Sequence, residues 1–285
     1  MTTPAQNVDA SLADALGEIC LRAAAAGPGA YADEFTDEGW PIDPASRAAQ
    51  DGEPLLVHMP VKLATLAAAE LEAIGSLLIS DPRPKVGAVP LGRSVIESCS
   101  TVGWLLDNTV TAGIRRRRAW LLRATAEALG ARTAEKDGGL TGAMSGSPER
   151  LAQIEADIEA RLGLRLERGT KTHPKDWKLD GVRLPSRSEL VDEAVMRWFP
   201  GADGLTMYSQ ISRNSHSDVL VALGYIDDKL HIPEGEGLGF VATVLASWAL
   251  EWTRVMSYLG HTCDGFATWR NRMLAAIGRP DLVDP

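Results

Sequence analysis

The sequence is short of cysteine, short of strand-like patterning and without a long apolar run. Three cysteines scattered along 285 residues make no disulfide framework. That usage suits a reducing cytoplasm. No stretch approaches about 18 consecutive apolar residues, so no membrane-spanning helix is expected. The N-terminus shows no charged segment followed by an apolar one, so no signal peptide is expected. β-branched residues in period-2 alternation are scarce, which leaves an all-α fold. Glu-x-x-His pairs are missing, which argues against a di-iron bundle. A P-loop, a G-x-S-x-G elbow and zinc-type cysteine pairing are missing too. "GEGLGF", Gly235–Phe240, follows no strand and departs from G-x-G-x-x-G, so it reads as a loop. No metal and no cofactor is expected.

Positive charge is also in deficit. Lys and Arg number 29 against 38 Asp and Glu, a net −9. Such a chain is repelled on average by phosphate backbones and anionic lipid surfaces, which weighs against nucleic-acid and membrane partners.

What the sequence has is alanine and helical periodicity. "LRAAAAG", "LATLAAAELEAIG" and "AWLLRATAEALGAR" join good helix formers to small surfaces that let helices approach closely. Helices are predicted over 8–26, 61–80, 90–108, 111–136, 148–162, 187–199, 207–225, 240–259 and 264–277. Ser147 is a cap before Pro148, and Ser186 with Glu189 reads as a capping box. Between the first two helices lie Pro28, Pro41, Pro44, Pro54 and Pro60, a density that excludes a long helix. Residues 163–185 read as polar and irregular, and 225–239 as a turn or short hairpin. The expected architecture is a multi-helix bundle of about eight or nine helices. Residues 1–60 form an N-terminal helix and Pro-rich wrapping arm, and 61–285 the bundle domain. The alanine-rich faces of the last two helices suit a homodimer.

Candidate site residues come from helical-wheel positions, at 100° per residue. In "MYSQISRNSHSDVLVALGY", Ser209, Ser212, Arg213 and His216 share a stripe with Val219, Leu220 and Leu223. In "VPLGRSVIESCSTVGWLLDN", Leu91, Val95, Cys99, Val102 and Leu106 oppose Arg93, Ser94, Glu97, Ser100, Thr101 and Trp104. That polar face, rich in hydroxyls and carrying a Trp, suits the lining of a wet cavity. In "RRRR", Arg116 and Arg117 point outward, whereas Arg118 shares a stripe with Ile114, Leu121, Leu122, Thr125 and Leu129. A guanidinium there needs an acid, and Glu97 is the expected one. Glu251 likewise shares an apolar stripe.

These positions predict an inward polar cluster. His216, Glu97 and Arg213 are its candidate catalytic residues. Arg118, Arg93, Trp104, Tyr208, Ser212 and Glu251 are its candidate ligand contacts. A histidine beside a carboxylate can act as general acid or base, and arginines can hold a carboxylate or phosphate. A register-fixing ion-pair network would use the same residue types, so enzyme and non-enzymatic interaction protein both stay open. "RSVIESCSTVGWLLD", "RRRRAWLL" and "YSQISRNSHSD" together resemble the HEPN superfamily of helical bundles and related bacterial bundle proteins. That resemblance implies a ribonuclease, toxin–antitoxin or defence role, with Arg213 and His216 as its Arg/His pair. Here two residues separate them, where the family pattern has four to six. From the residues themselves, the expected ligand is a small polar or anionic organic molecule handled without a cofactor.

Overall fold

The computed structural model describes residues 4–27, 42–80, 88–136, 146–168, 174–206, 208–209, 234–261, 268, 270–272 and 275. Its elements are α1 (Pro4–Ala26), α2 (Arg47–Asp51), α3 (Leu55–Ile79), α4 (Ala88–Leu105), α5 (Ala112–Lys136) and α6 (Pro148–Leu162). Then follow β1 (Leu166–Glu167), a 3-10 turn (Pro174–Asp176), β2 (Lys178–Leu179), β3 (Val182–Arg183), α7 (Arg187–Trp198) and α8 (Glu234–Leu259). The chain is predominantly helical, with one small antiparallel sheet among the described residues, in the order β1-β2-β3.

It forms two compact units. The first holds residues 1–50, 60–104 and 187–285; the second holds 51–59 and 105–186. The sequence suggested a division at residue 60.

The first unit is a bundle of α1, α3, α4, α7 and α8 built on close helix crossings. Gly17 of α1 and Gly75 of α3 pack backbone to backbone: a Cβ on Gly75 would lie 2.8 Å from the Gly17 carbonyl. A Cβ on Gly92 would strike the Phe240 ring of α8 at 2.5 Å. Ala23, Ala67, Ala246 and Ala249 are fully buried between these helices. The two tryptophans of α8, Trp248 and Trp252, are buried and stacked at 6.2 Å. Trp248 Nε1 donates to the Ala64 carbonyl of α3 at 3.1 Å, so its one polar atom is satisfied.

The helix ends follow local chemistry. Ser147 accepts from Arg150 N at 3.1 Å and Pro148 opens α6, as the sequence predicts, and Gly163 closes it at φ 66°. At the end of α8, Gly260 takes φ 85°, and its N–H and that of His261 bond back to Ser257 and Met256. Asp43 N donates to the Leu259 carbonyl at 3.1 Å, which ties the end of the Pro-rich arm to α8.

Three elements depart from expectation. α3 starts at Leu55, not 61, and carries Pro60 inside it. Pro60 lies early in the helix, where its missing N–H costs one hydrogen bond, to the Leu56 carbonyl. α8 starts at Glu234, so Gly235–Phe240 is helix and not loop. Residues 163–185 contain the sheet instead of irregular chain. Its β2–β3 turn is Asp180-Gly181, both with positive φ, and Leu179 pairs with Val182. "LDGV" carries the Asp-Gly signature of a two-residue hairpin, which helical periodicity does not report.

The second unit packs Trp120, Leu121, Ala124 and Ala128 of α5 against Ile154 and Ile158 of α6 and Trp177 and Leu179 near the sheet. The buried face of α5 is therefore rotated from the predicted stripe. Leu129 is exposed, while Arg115 and Ala119 are inside. Small buried alanines contribute little to a hydrophobicity count yet mark where helices meet most closely.

Candidate functional site

The polar cluster of the first unit is centred on Glu97, in the middle of α4. Arg93 lies one turn earlier on the same face, and its Nε reaches Glu97 Oε1 at 2.7 Å. Tyr208 donates its hydroxyl to the same oxygen at 2.9 Å and accepts from Arg93 Nη2 at 3.1 Å. The Arg93 guanidinium also covers the Tyr208 ring, 5.3 Å from its centroid. Arg187, the first residue of α7, reaches Glu97 Oε2 at 3.0 Å, with its side chain 73% exposed. Three of the expected residues, Arg93, Glu97 and Tyr208, are thus brought together. Burial opposes the charge on Arg93, but Glu97 and Tyr208 outweigh it and hold its pKa above the ordinary value. Burial, reinforced by Glu97, raises the Tyr208 phenol.

Glu70, on α3, extends the cluster and was missed in the sequence. Ser94 donates to its Oε1 at 2.5 Å. Its Oε2 is shut away from water and has no hydrogen-bond partner. Leaving a buried acceptor unpaired costs about 1–3 kcal/mol. Burial pushes the Glu70 carboxyl up, the Ser94 hydrogen bond partly offsets this, and the charge of Glu97 raises it further. In the sequence Glu70 sits in an alanine-rich helix with Glu72 two residues on, where a Glu reads as solvated.

The other hydroxyls on the polar face of α4 bond back to their own helix. Ser100 bonds back to the Ile96 carbonyl at 2.6 Å and Thr101 to the Glu97 carbonyl at 2.8 Å. Short hydroxyls in a helix can satisfy themselves this way. Trp104, expected as a pocket wall, is a core residue at 5% exposure.

Glu251 is buried as predicted, at 1% exposure. Trp198 Nε1 donates to its Oε1 and Arg254 Nε to its Oε2, each at 2.8 Å. Gly103 of α4 makes room for it: a Cβ there would lie 2.9 Å from Glu251 Oε1. With both oxygens satisfied, Glu251 is a packing device that joins α7 and α8. Cys99 is buried, and burial, then the charges of Glu251 and Glu70, raise its thiol well above its ordinary pKa. Burial pushes the Cys20 thiol up to about 12. Both thiols are held in the un-ionised form, which is unreactive.

Arg118 has a different partner from the one expected. Its Nη1 lies 3.3 Å from Asp107 Oδ2, in the loop that precedes α5. Thr109 and Arg118 outweigh burial and hold the Asp107 carboxyl below its usual range. The deeply buried guanidinium of "RRRR" is Arg115, which the wheel missed. It meets both Asp51 oxygens, at 2.7 and 2.8 Å, and the carbonyls of Asp107 and Val110. Arg116 Nε donates to the Asp51 carbonyl at 2.6 Å, and Trp120 Nε1 to Glu53 at 2.9 Å. Every charge here has its partner, so this second network holds structure.

His216, Arg213, Ser212, Asn214, Asp218 and Cys263 lie outside the described residues. Among the described residues, no group of three or more His, Cys, Asp or Glu could hold a metal ion. No described helix is long and apolar enough to cross a membrane. Compared with family models, curated proteins and solved structures, the chain finds no match.

Proposed function

We propose that this chain binds a small polar organic molecule at the Glu70–Ser94–Arg93–Glu97–Tyr208 cluster and performs acid–base chemistry on it. One observation carries the reading. Two carboxylates from different helices share the cluster, and only one is saturated with donors. Glu97 has Arg93, Tyr208 and Arg187. Glu70 has Ser94 alone, and its pKa is raised. A carboxyl shifted upward is closer to the pH at which an enzyme exchanges protons.

On this reading Glu70 exchanges the proton. Glu97 acts as a positioning residue that holds Arg93 and Tyr208. Arg187, mostly solvent-exposed, supplies a cation that can turn from Glu97 to a ligand. His216, with Arg213 and Ser212, follows Tyr208 in the chain and is the candidate for a second acid–base group. A cytoplasmic location is part of the proposal and agrees with the free, buried Cys20 and Cys99.

Ligand-detected NMR of the full chain against a library of small polar compounds tests the reading. Arg93→Ala and Glu97→Gln should each weaken the ligand found by about tenfold or more, the worth of a charged hydrogen bond. A ligand whose affinity is unaltered in both variants binds elsewhere, and the assignment is lost. The ribonuclease alternative rests on Arg213 and His216. Incubation with RNA in EDTA, wild type beside His216→Ala, addresses it; RNA left intact by the wild type removes it.

A further inference from the structure

We propose that Glu70 is a proton-operated catch between α3 and α4, closed while its carboxyl is neutral and released when the carboxyl ionises. The surroundings of its two oxygens differ. Oε1 lies 2.5 Å from the Ser94 hydroxyl of α4. Oε2 is shut away from water and has no hydrogen-bond partner. A neutral carboxyl protonated on Oε1 donates to the Ser94 oxygen, and Oε2 is then an uncharged carbonyl oxygen. An ionised carboxyl spreads its charge over both oxygens and accepts at each. Ser94 serves one of them. The other is left charged with neither water nor donor, which is the costly arrangement.

Among the described residues, the charged and titratable groups around Glu70 sharpen this preference. From α4 come Glu97, whose charge raises the Glu70 carboxyl, and the buried Cys99 thiol, which Glu70 raises in turn. The cations of the cluster are engaged by Glu97: Arg93 of α4 at 2.7 Å and Arg187 of α7 at 3.0 Å. The Tyr208 hydroxyl is bound to Glu97 as well. Within α3, the positions one turn either side of Glu70 are Leu66, Ala67, Ala73 and Ile74, none of them charged. Burial is the largest cause that pushes the Glu70 carboxyl up, and the Ser94 hydrogen bond draws it partway back.

As pH rises through the folded midpoint, the O–H bond of Glu70 breaks, its electron pair stays on oxygen and the proton leaves for water. A full charge gains more from water than from one hydroxyl. Glu70 as a residue is only partly buried, so turning its side chain outward brings the carboxylate to solvent. That turn removes a hydrogen bond that joins α3 to α4. Ser94 lies on α4 between Arg93 and Glu97, so the helix released is the one that carries the Glu97 cluster. Protonation as pH falls closes the catch again.

Carbon NMR of the full chain, labelled at the glutamate carboxyl carbons, follows the titration. Amide exchange in α3 and α4 is measured over the same pH range, with the intrinsic pH dependence of exchange divided out. In the wild type one glutamate should titrate above the ordinary carboxylate range, and its signal should be missing from Glu70→Gln. Protection around Glu70 and Ser94 should fall about fivefold or more as pH passes that midpoint, the worth of an ordinary hydrogen bond. It should hold level in Glu70→Gln, which imitates the neutral form. If Glu70→Gln fails to fold, Ser94→Ala carries the comparison: without the hydroxyl that favours the ion, the midpoint should move to higher pH. The proposal is overturned if no glutamate titrates above the ordinary range, or if protection is unchanged across the raised midpoint. A fall in protection that persists in Glu70→Gln, or a midpoint unmoved in Ser94→Ala, overturns it too. No ligand takes part, so any of these results leaves the ligand-site reading standing.

Discussion

At the scale of single residues, the two polar networks differ in how completely they are satisfied. Asp51 and Arg115 are both nearly buried, and their oxygens and nitrogens are matched atom for atom. Asp51→Ala strands a buried guanidinium and should cost about 3–5 kcal/mol, read by urea unfolding. Replacing both partners with Leu and Met should cost far less, because no charge is left unpaired; an equal loss in both variants would contradict this account. Glu70 is the opposite case. Its folded pKa lies above its ordinary value, so the folded chain holds a proton that the unfolded chain releases. The linked stability is present below the unfolded pKa and is lost as pH rises through the folded pKa. Glu70→Gln should therefore flatten the decline of melting temperature on the alkaline side of the carboxylate range. A variant that follows the wild-type curve across that range would show that Glu70 is not the titrating group.

At the scale of elements, most helices were legible because their signals are local. The Ser147-Pro148 start of α6 involves neighbours in sequence alone. The start of α3 was not legible, since a proline near a helix start is tolerated when the rest of the helix packs. The sheet was missed because its strands are two residues each, too short for alternation to register. The rotation of α5 has a related cause: its buried face is partly alanine and one arginine, and neither stands out as apolar. Helix crossings give a direct prediction. Gly75→Val puts a branched side chain where even a Cβ lies 2.8 Å from the Gly17 carbonyl. Overpacking of this kind should cost about 1–3 kcal/mol in thermal or urea unfolding. Gly239, whose Cβ position meets nothing, is the control: Gly239→Ala should be neutral or stabilising.

At the scale of the molecule, charge sets the colloidal behaviour. With a net −9 at neutral pH and an isoelectric point near 5.1, solubility should be lowest near that pH and recover on either side, followed by turbidity. The same charge predicts weak, salt-sensitive retention on an RNA or heparin column. Tight retention at physiological salt would overturn the view that acidic surface dominates.

The sequence by itself determined the helical class, most of the helix boundaries, the burial of Glu251 and the grouping of Arg93 with Glu97. All of these follow from spacing along one helix, which periodicity reports directly. Only the tertiary structure decided that Arg115 takes Asp51, that Arg118 takes Asp107, and that Glu70 stands beside Ser94 with an oxygen unpaired. Those pairings join residues from different elements. Which carboxylate meets which guanidinium depends on the rotation and offset of packed helices, and buried glycines and alanines set these without leaving a chemical signature in the chain.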